Sequence, residues 1–346
     1  MILFLRRDGG STETPKSKLP MSLATYQDKF SRLVVNVRDG RFSPHKICML
    51  LALLDLARSG GLSENRVLYA PPLLERYSRF FGAVRRPGDH LNPYFPFFHL
   101  AGKLRGGAPS FWHPEPLPGR ETALSALTTA RSPSDITGNV AYAVLDSKLF
   151  ELLLSPASIE ALGETISQRW FDRGLGDLHS VVAHSSEISR YEHQLRAGLR
   201  VQTCEPAPPA YVRNPAFRRL VTQLYDYLCA ATGVRFLLLS GEAMVEASHI
   251  HPFHESGDDD PRNGIALSPN MHWAMDKNLI APGPDLKWHV SSTLDARVLD
   301  YAMLLELKGK PLLPPIEARM CPKRDVLEWR LDRLREPDWN SGSDRV

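Results

Sequence analysis

The chemistry-bearing side chains of this chain concentrate in one polar stretch, SHIHPFHESGDDDPRNGIALSPNMHWAMDKNLI, at positions 248–280. His249, His251 and His254 open it, Asp258, Asp259 and Asp260 follow, and Asn263, His272 and Asp276 close it. Such a stretch is either a histidine-rich surface loop or a site. His272 and Asp276 lie four positions apart, so on a helix they share one face. An imidazole and a carboxylate on one face make half of a divalent-metal site. The three consecutive aspartates read as a solvated turn.

The flanking residues say which elements must hold these groups. EASHIHP places His249 at the end of an alternating run, which reads as a strand edge. Downstream, a short strand at 265–267 precedes a helix capped by Ser268, with Pro269 as its first residue. The order is a strand with His249, a loop with Asn263, a second strand, and a helix with His272 and Asp276. Lys287 and His289 fall on a following hairpin and are assigned no role.

This order resembles the HNH nuclease motif of the ββα-metal fold. His249 to Asn263 spans 14 positions and Asn263 to His272 spans 9. RNPAFRRLVTQLYDYLCAATGV, upstream, looks like the lead-in helix of one HNH subfamily, so the resemblance covers about 211–292. It implies that His249 is the general base, with an unperturbed pKa of ~6.5 suited to taking a proton from water. Asn263 would fix the base's tautomer and orientation through its side-chain carbonyl. His272 and Asp276 would hold one divalent cation, Mg²⁺ or Mn²⁺, with Zn²⁺ or Ni²⁺ as further options. The third metal position, Asp or His in many members, maps to Ser248, where Glu246, His251, His254 or water would compensate.

The length of 346 residues suggests about two domains. Hydrophobic content of 43% and charged content of 23% are those of a globular protein able to bury real cores. A net charge of +3 does not announce nucleic acid, so a DNA-binding face must come from local clustering. Cys48, Cys204, Cys229 and Cys321 form no C-x-x-C, which argues against a zinc ribbon or a disulfide framework and for reduced thiols in a cytoplasmic protein. The five-residue apolar start is too short for a signal sequence, and no run approaches the ~18 apolar residues of a membrane span.

Composition along the chain predicts an α+β protein of two domains. Residues 1–21 read as a tail, or a short added strand near the start. Residues 22–171 read as a mixed helix and strand domain, 172–210 as a helical and Pro-rich linker, and 211–346 as the HNH domain. In the first domain SPHKICMLLALLDLARSGGL reads as a buried helix, with Ser43 as N-cap, Pro44 first and Ser59-Gly60-Gly61 as its stop. NVAYAVL reads as a strand and NPYFPFFHL as a loop. In the second, PAFRRLVTQLYDYLCAATG reads as an amphipathic helix stopped at Gly233, and VRFLLLS as a strand.

His45 and Lys46 sit in the first turn of the buried helix, where free backbone N–H groups attract anions. The segment 94–99 offers an apolar wall. A cationic helix start beside an apolar wall suits a phosphate in which softer sulfur replaces one oxygen. The arrangement resembles the sulfur-binding domain of phosphorothioate-dependent restriction endonucleases, which commonly carry a C-terminal HNH domain. By that resemblance His45, Lys46, Tyr94, Phe95, Pro96 and His99 line the sulfur pocket.

The sequence therefore predicts a modification-dependent endonuclease acting on double-stranded, phosphorothioate-modified DNA, with no membrane partner, and admits a homodimer. Two alternatives stand beside it. One is an HNH nuclease reading another mark, such as a methylated base, which would need an aromatic cage for a flipped base. The other is a DNA-binding defence or regulatory protein with a degenerate HNH fold, which Ser248 favours.

Overall fold

The computed structural model describes residues 21–38, 41–171, 178–198, 208–238 and 240–336. The tail at 1–20 and Cys204, with the start of the Pro-rich stretch up to 207, lie outside the described residues. The fold is α+β, with helices dominating and strands confined to two-stranded antiparallel pairs.

The first unit begins with α1 (Met21–Ser31) and the small pair β1 (Val37–Arg38) and β2 (Arg41–Phe42). Helix α2 (His45–Arg58) follows and is its centre: every residue from Ile47 to Leu56 is buried. Burial on all sides is what its unbroken apolar run requires. The chain leaves α2 through Gly60, whose φ of +74° is left-handed, and the Gly61 N–H returns to the Leu56 carbonyl. Helix α3 (Pro71–Val84) packs along α2, and α4 (Tyr94–His99) packs beside it. The strands β3 (Trp112–Pro116) and β4 (Val140–Leu145) pair antiparallel around α5 (Glu121–Ala126) and α6 (Pro133–Thr137). Helices α7 (Ser147–Leu153) and α8 (Pro156–Phe171) complete the first core.

Helix α9 (Leu178–Arg196) joins two cores: Leu178 belongs to the first, and Ile188, Tyr191 and Leu195 to the second. The second unit starts with α10 (Ala210–Leu224), lying along α9. It continues through β5 (Glu246–His249), α11 (Phe253–Ser256), β6 (Gly264–Leu267), α12 (Pro269–Asp276), the hairpin β7 (Ile280–Pro282) and β8 (Trp288–Val290), α13 (Ala302–Leu305) and α14 (Arg324–Leu331). No helix among the described residues is long and apolar enough to cross a membrane.

A buried ion network ties the units together. Arg76 of α3 meets Asp55 of α2 at 3.2 Å and Glu192 of α9 at 2.6 Å, all three fully buried. Arg219 of α10 reaches Asp55 at 3.5 Å, and Ser185 and Ser189 each donate to Asp55 at 2.6 Å. Burial alone would raise the Asp55 carboxyl, but Arg219, Arg76 and the two serines outweigh it and hold it below the ordinary carboxylate range.

Three local expectations change. Segment 94–99 is helical, because Pro93 can occupy a helix start and nothing after Pro96 breaks the turn. Among its described residues VRFLLLS forms only an isolated bridge, Leu237 to Ala243, and leaves Phe236 and Leu238 exposed. Helix α10 ends at Leu224, before Gly233, because Asp226 and Tyr227 take positive φ and turn the chain toward β6.

Candidate active site

The strands β5 and β6 pair antiparallel, with Glu246 opposite Leu267, Ser248 opposite Ile265 and His249 opposite Gly264. Helix α10 backs this hairpin. A Cβ on Gly264 would lie 2.5 Å from Val221 Cγ2 and 2.8 Å from Phe217 Cζ, so the glycine is needed for close packing. The Phe217 ring also stacks on His249, with centroids 3.9 Å apart and planes 3° from parallel. One phenylalanine thus sets both the hairpin's seat and the plane of the imidazole.

The loop between the strands is closed by Asn263, which is fully buried. Its Oδ1 accepts from the His251 N–H at 2.8 Å, and its Nδ2 donates to the carbonyls of His251 and Asp258, both at 2.9 Å. The contact expected from Asn263 to the His249 ring is therefore not made. The Asn263 side chain is committed to the loop backbone, and Asp259 takes the orienting position. Asp259 Oδ1 lies 2.9 Å from His249 Nε2. The other oxygen accepts from Arg213 at 2.9 Å and from the Tyr191 hydroxyl at 3.1 Å.

Asp259 is only 5% exposed, so the three aspartates are no solvated turn. Asp258 and Asp260 both hold Lys323, at 2.8 and 3.0 Å. Burial pushes the Asp259 carboxyl up, and His249 and Arg213 push it further down, so it stays ionised near neutrality. An ionised carboxylate only accepts, so His249 carries its proton on Nε2. That leaves Nδ1, which has no hydrogen-bond partner among the described residues, as the basic nitrogen.

Helix α12 presents His272 and Asp276 as expected, with Nε2 and Oδ2 3.5 Å apart. Ser268 holds the N-cap position, but its hydroxyl bonds Asn270 instead of a helix N–H. Glu246 Oε2 lies 2.8 Å from His272 Nδ1. Of the residues expected to compensate for Ser248, Glu246 alone reaches His272. His251 stacks on Trp329 at 3.9 Å, and His254 is exposed beside Glu255. Ser248 is 1% exposed, and its Oγ has no partner among the described residues.

Helix α14 locks the two halves, a role the sequence did not signal. Arg330 is 2% exposed and donates to the carbonyls of Ile250 at 2.6 Å and Met275 at 3.3 Å, and to Asn278 at 3.2 Å. It ties the end of β5 to the end of α12. His249, His272, Asp276, Arg330 and Arg333 all border one cavity of about 1210 Å³.

The residues fit a divalent cation of the hard, hydrated kind. Among the described residues no group of three or more His, Cys, Asp or Glu closes a metal cage. His272 and Asp276 would supply two protein ligands, and such cations accept the remainder from phosphate and water. Glu246 holds the Nδ1 side of His272, which directs Nε2 toward Asp276 and the cavity.

A second set of expected residues gathers at the start of α2. His45, Lys46, Phe95 and His99 border a cavity of about 230 Å³ together with Ser43 and Val35. The Phe95 and His99 rings meet at a tilt of 46° with centroids 4.2 Å apart, one helical turn apart on α4. Tyr94 and Pro96 do not border this cavity: the helical form of the segment turns Pro96 into the core and packs Tyr94 against it. Ser43 does not cap the helix N-terminus; its hydroxyl contacts His45 Nδ1 at 2.7 Å, while His45 Nε2 reaches the His90 carbonyl at 3.0 Å. Lys46 is half-buried, has no ion pair or hydrogen bond among the described residues, and is pushed below the ordinary lysine range by burial.

Comparison with known proteins gives two findings. Residues 229–281 match the HNH endonuclease family. The chain is also similar to a solved structure, a modification-dependent TagI restriction endonuclease, at 20% identity and a TM-score of 0.28, over 37% of this chain and 40% of that one. No curated relative matches. The chain carries an HNH endonuclease domain, a class that uses divalent metal ions.

Proposed function

We propose that this chain is a modification-dependent DNA endonuclease that hydrolyses a phosphodiester with His249 as general base and reads a phosphorothioate through the cavity at the start of α2. The observation that carries the nuclease part is that one cavity is bordered by His249, which Asp259 holds from behind, and by His272 with Asp276.

Asp259 fixes the Nε2–H tautomer, and Phe217 fixes the ring plane. His249 Nδ1 then takes a proton from water as the water oxygen attacks phosphorus. The bond from phosphorus to the 3′-oxygen breaks, and that oxygen takes its proton from solvent. A divalent cation held by His272 and Asp276, most simply Mg²⁺ or Mn²⁺, supplies charge stabilisation for the phosphate and the leaving oxygen. Arg330 keeps the base and ligand elements in register, and Arg333 adds positive charge at the cavity wall.

The reading of the mark rests on Lys46. A half-buried ammonium without a protein partner, beside the Phe95 ring and at a helix start, offers charge to a phosphate and an apolar surface to sulfur. Matched plasmids with and without phosphorothioate, incubated with Mg²⁺ or Mn²⁺, provide the test. Cleavage of the modified plasmid alone, lost in His249→Ala with binding retained, is the expected result. Equal cleavage of both plasmids would reject the sulfur assignment, and full activity of His249→Ala would reject the base.

A further inference from the structure

A second cavity, of about 660 Å³, lies between α3, α9, α10 and the loop at 240–245. Its walls are fixed. Ser78 donates to the Ser240 carbonyl at 3.0 Å, and Gly241, at φ +92°, sits where a Cβ would be 2.9 Å from the Glu75 nitrogen. Asn214 and Arg218 border both this cavity and the catalytic one, so the two adjoin.

Arg79 lines this cavity, and its Nη1 and Nη2 are buried with no hydrogen-bond acceptor among the described residues. Burial, reinforced by Arg219 and Arg76, pushes its guanidinium down to about 10. A buried guanidinium left without acceptors is costly, and a fold that keeps one has a use for it. Arg218 is exposed at the junction, and its side chain has no partner among the described residues. Arg219, by contrast, is engaged with Asp55 and Glu192.

Two acids also border the cavity. Burial pushes the Glu75 carboxyl up to about 7, against the pull of Arg76, Arg219 and Arg218, so it is partly neutral near neutrality. Glu242 is exposed and accepts from the Ser240 hydroxyl at 3.1 Å. Arg79 and Arg218 therefore set two positive charges against the Glu242 carboxylate and the partly neutral Glu75 carboxyl.

We propose that this cavity holds a backbone phosphate of the DNA strand whose neighbouring phosphodiester enters the catalytic cavity, with Arg79 as its bidentate ligand and Arg218 bridging the two sites. A guanidinium whose two terminal nitrogens lack acceptors matches two phosphate oxygens. This assignment rests on the nuclease reading above. It adds a contact that positions the strand between the reading unit and the cutting unit without reading sequence.

The test compares full-length wild type with Arg79→Met, binding duplex DNA in chelator so that no cleavage occurs. The expected result is weaker binding by Arg79→Met to modified and unmodified duplex alike. The slope of log affinity against log salt should become shallower by about 1, the signature of one lost phosphate contact. The melting temperature of free Arg79→Met should be equal to wild type or higher, because an unpartnered buried charge has been removed. Equal salt slopes would overturn the proposal, and a lower melting temperature with an equal slope would make Arg79 structural. A second arm measures the thermal shift produced by inorganic phosphate against chloride at matched ionic strength. A shift in wild type that Arg79→Met loses, with unchanged DNA slopes, would mean a free-phosphate site and overturn the DNA assignment. Should wild type bind no duplex at all, the nuclease reading fails by itself. In that case a phosphate shift lost in Arg79→Met still locates an anion site at Arg79, and its absence removes the site as well.

Discussion

The Asp259 carboxylate accepts a hydrogen bond from His249 Nε2 at 2.9 Å, while its other oxygen is held by Arg213 at 2.9 Å. The acid is nearly buried and anchored by residues from α9 and α10, so the tautomer of His249 is set by the helical layer beneath the hairpin. Asp259→Asn should therefore leave DNA binding intact and reduce single-turnover cleavage by ~10²–10⁴-fold, because an amide no longer imposes the Nε2–H form. Gel-shift affinity and single-turnover rate, measured on the same preparation, decide it. Cleavage at the wild-type rate would remove Asp259 from the mechanism.

The cation half-site makes a separable prediction. His272→Ala and Asp276→Ala should each weaken Mn²⁺ binding to the folded protein, whereas Glu246→Gln should weaken it less, by ~10–100-fold, since Glu246 acts through His272. Calorimetric titration reads this without reference to catalysis. Unchanged affinity in His272→Ala and Asp276→Ala would place the ligands elsewhere.

Gly264 links stability to the site. Gly264→Ala puts a methyl group 2.5 Å from Val221 Cγ2 and 2.8 Å from Phe217 Cζ. The hairpin must move off α10, at a cost of about 1–3 kcal/mol. Phe217 must move with it, so the stacked His249 is displaced too. Denaturant midpoints and cleavage rates should both fall, and a variant with wild-type stability would show that the packing relaxes freely.

How much of this was legible follows from the reach of sequence patterns. The order of β5, Asn263, β6 and α12 is local, so spacing revealed it. The role of Asn263 was misplaced, because its hydrogen bonds are to backbone groups that no residue type announces. Asp259 was passed over because an aspartate triplet looks solvated until Tyr191 and Arg213 arrive from distant helices. Arg330 and Phe217 act across 80 and 32 positions of sequence, where periodicity carries no information. At segment 94–99 the prolines suggested a loop, yet Pro93 and Pro96 fall in the first turn of a short helix, where their missing N–H groups matter least.

The buried network between the units predicts a pH effect. Asp55 is held below its ordinary range, so the stability it contributes is complete above the unfolded carboxylate value of ~3.9. That stability is lost as pH falls through the lower folded value. Arg76→Met leaves Asp55 and Glu192 short of a partner and should destabilise the protein by about 3–5 kcal/mol at neutral pH. With that partner gone the Asp55 carboxyl rises, and the acid unfolding midpoint should move to higher pH. Urea midpoints across a pH series test both statements, and identical acid limbs would show that Arg76 does not hold the Asp55 charge.

The reading cavity separates charge from softness. Lys46 supplies charge without a protein partner, and Phe95 supplies the apolar wall, its ring against His99. Lys46→Ala in the full chain, assayed in chelator, should weaken binding to modified and unmodified duplex together. It should also make the salt slope shallower by about 0.9, one phosphate's worth of released counterion. Phe95→Ala should leave that slope unchanged and instead shrink the preference for sulfur, because sulfur loses little hydration against a phenyl ring. Pro96→Ala, turned into the core, should alter stability and not preference. Gel shifts at two salt concentrations with matched duplexes resolve the terms. If wild type binds both duplexes equally at both concentrations, the cavity does not read sulfur, and the mark this chain answers to is another one.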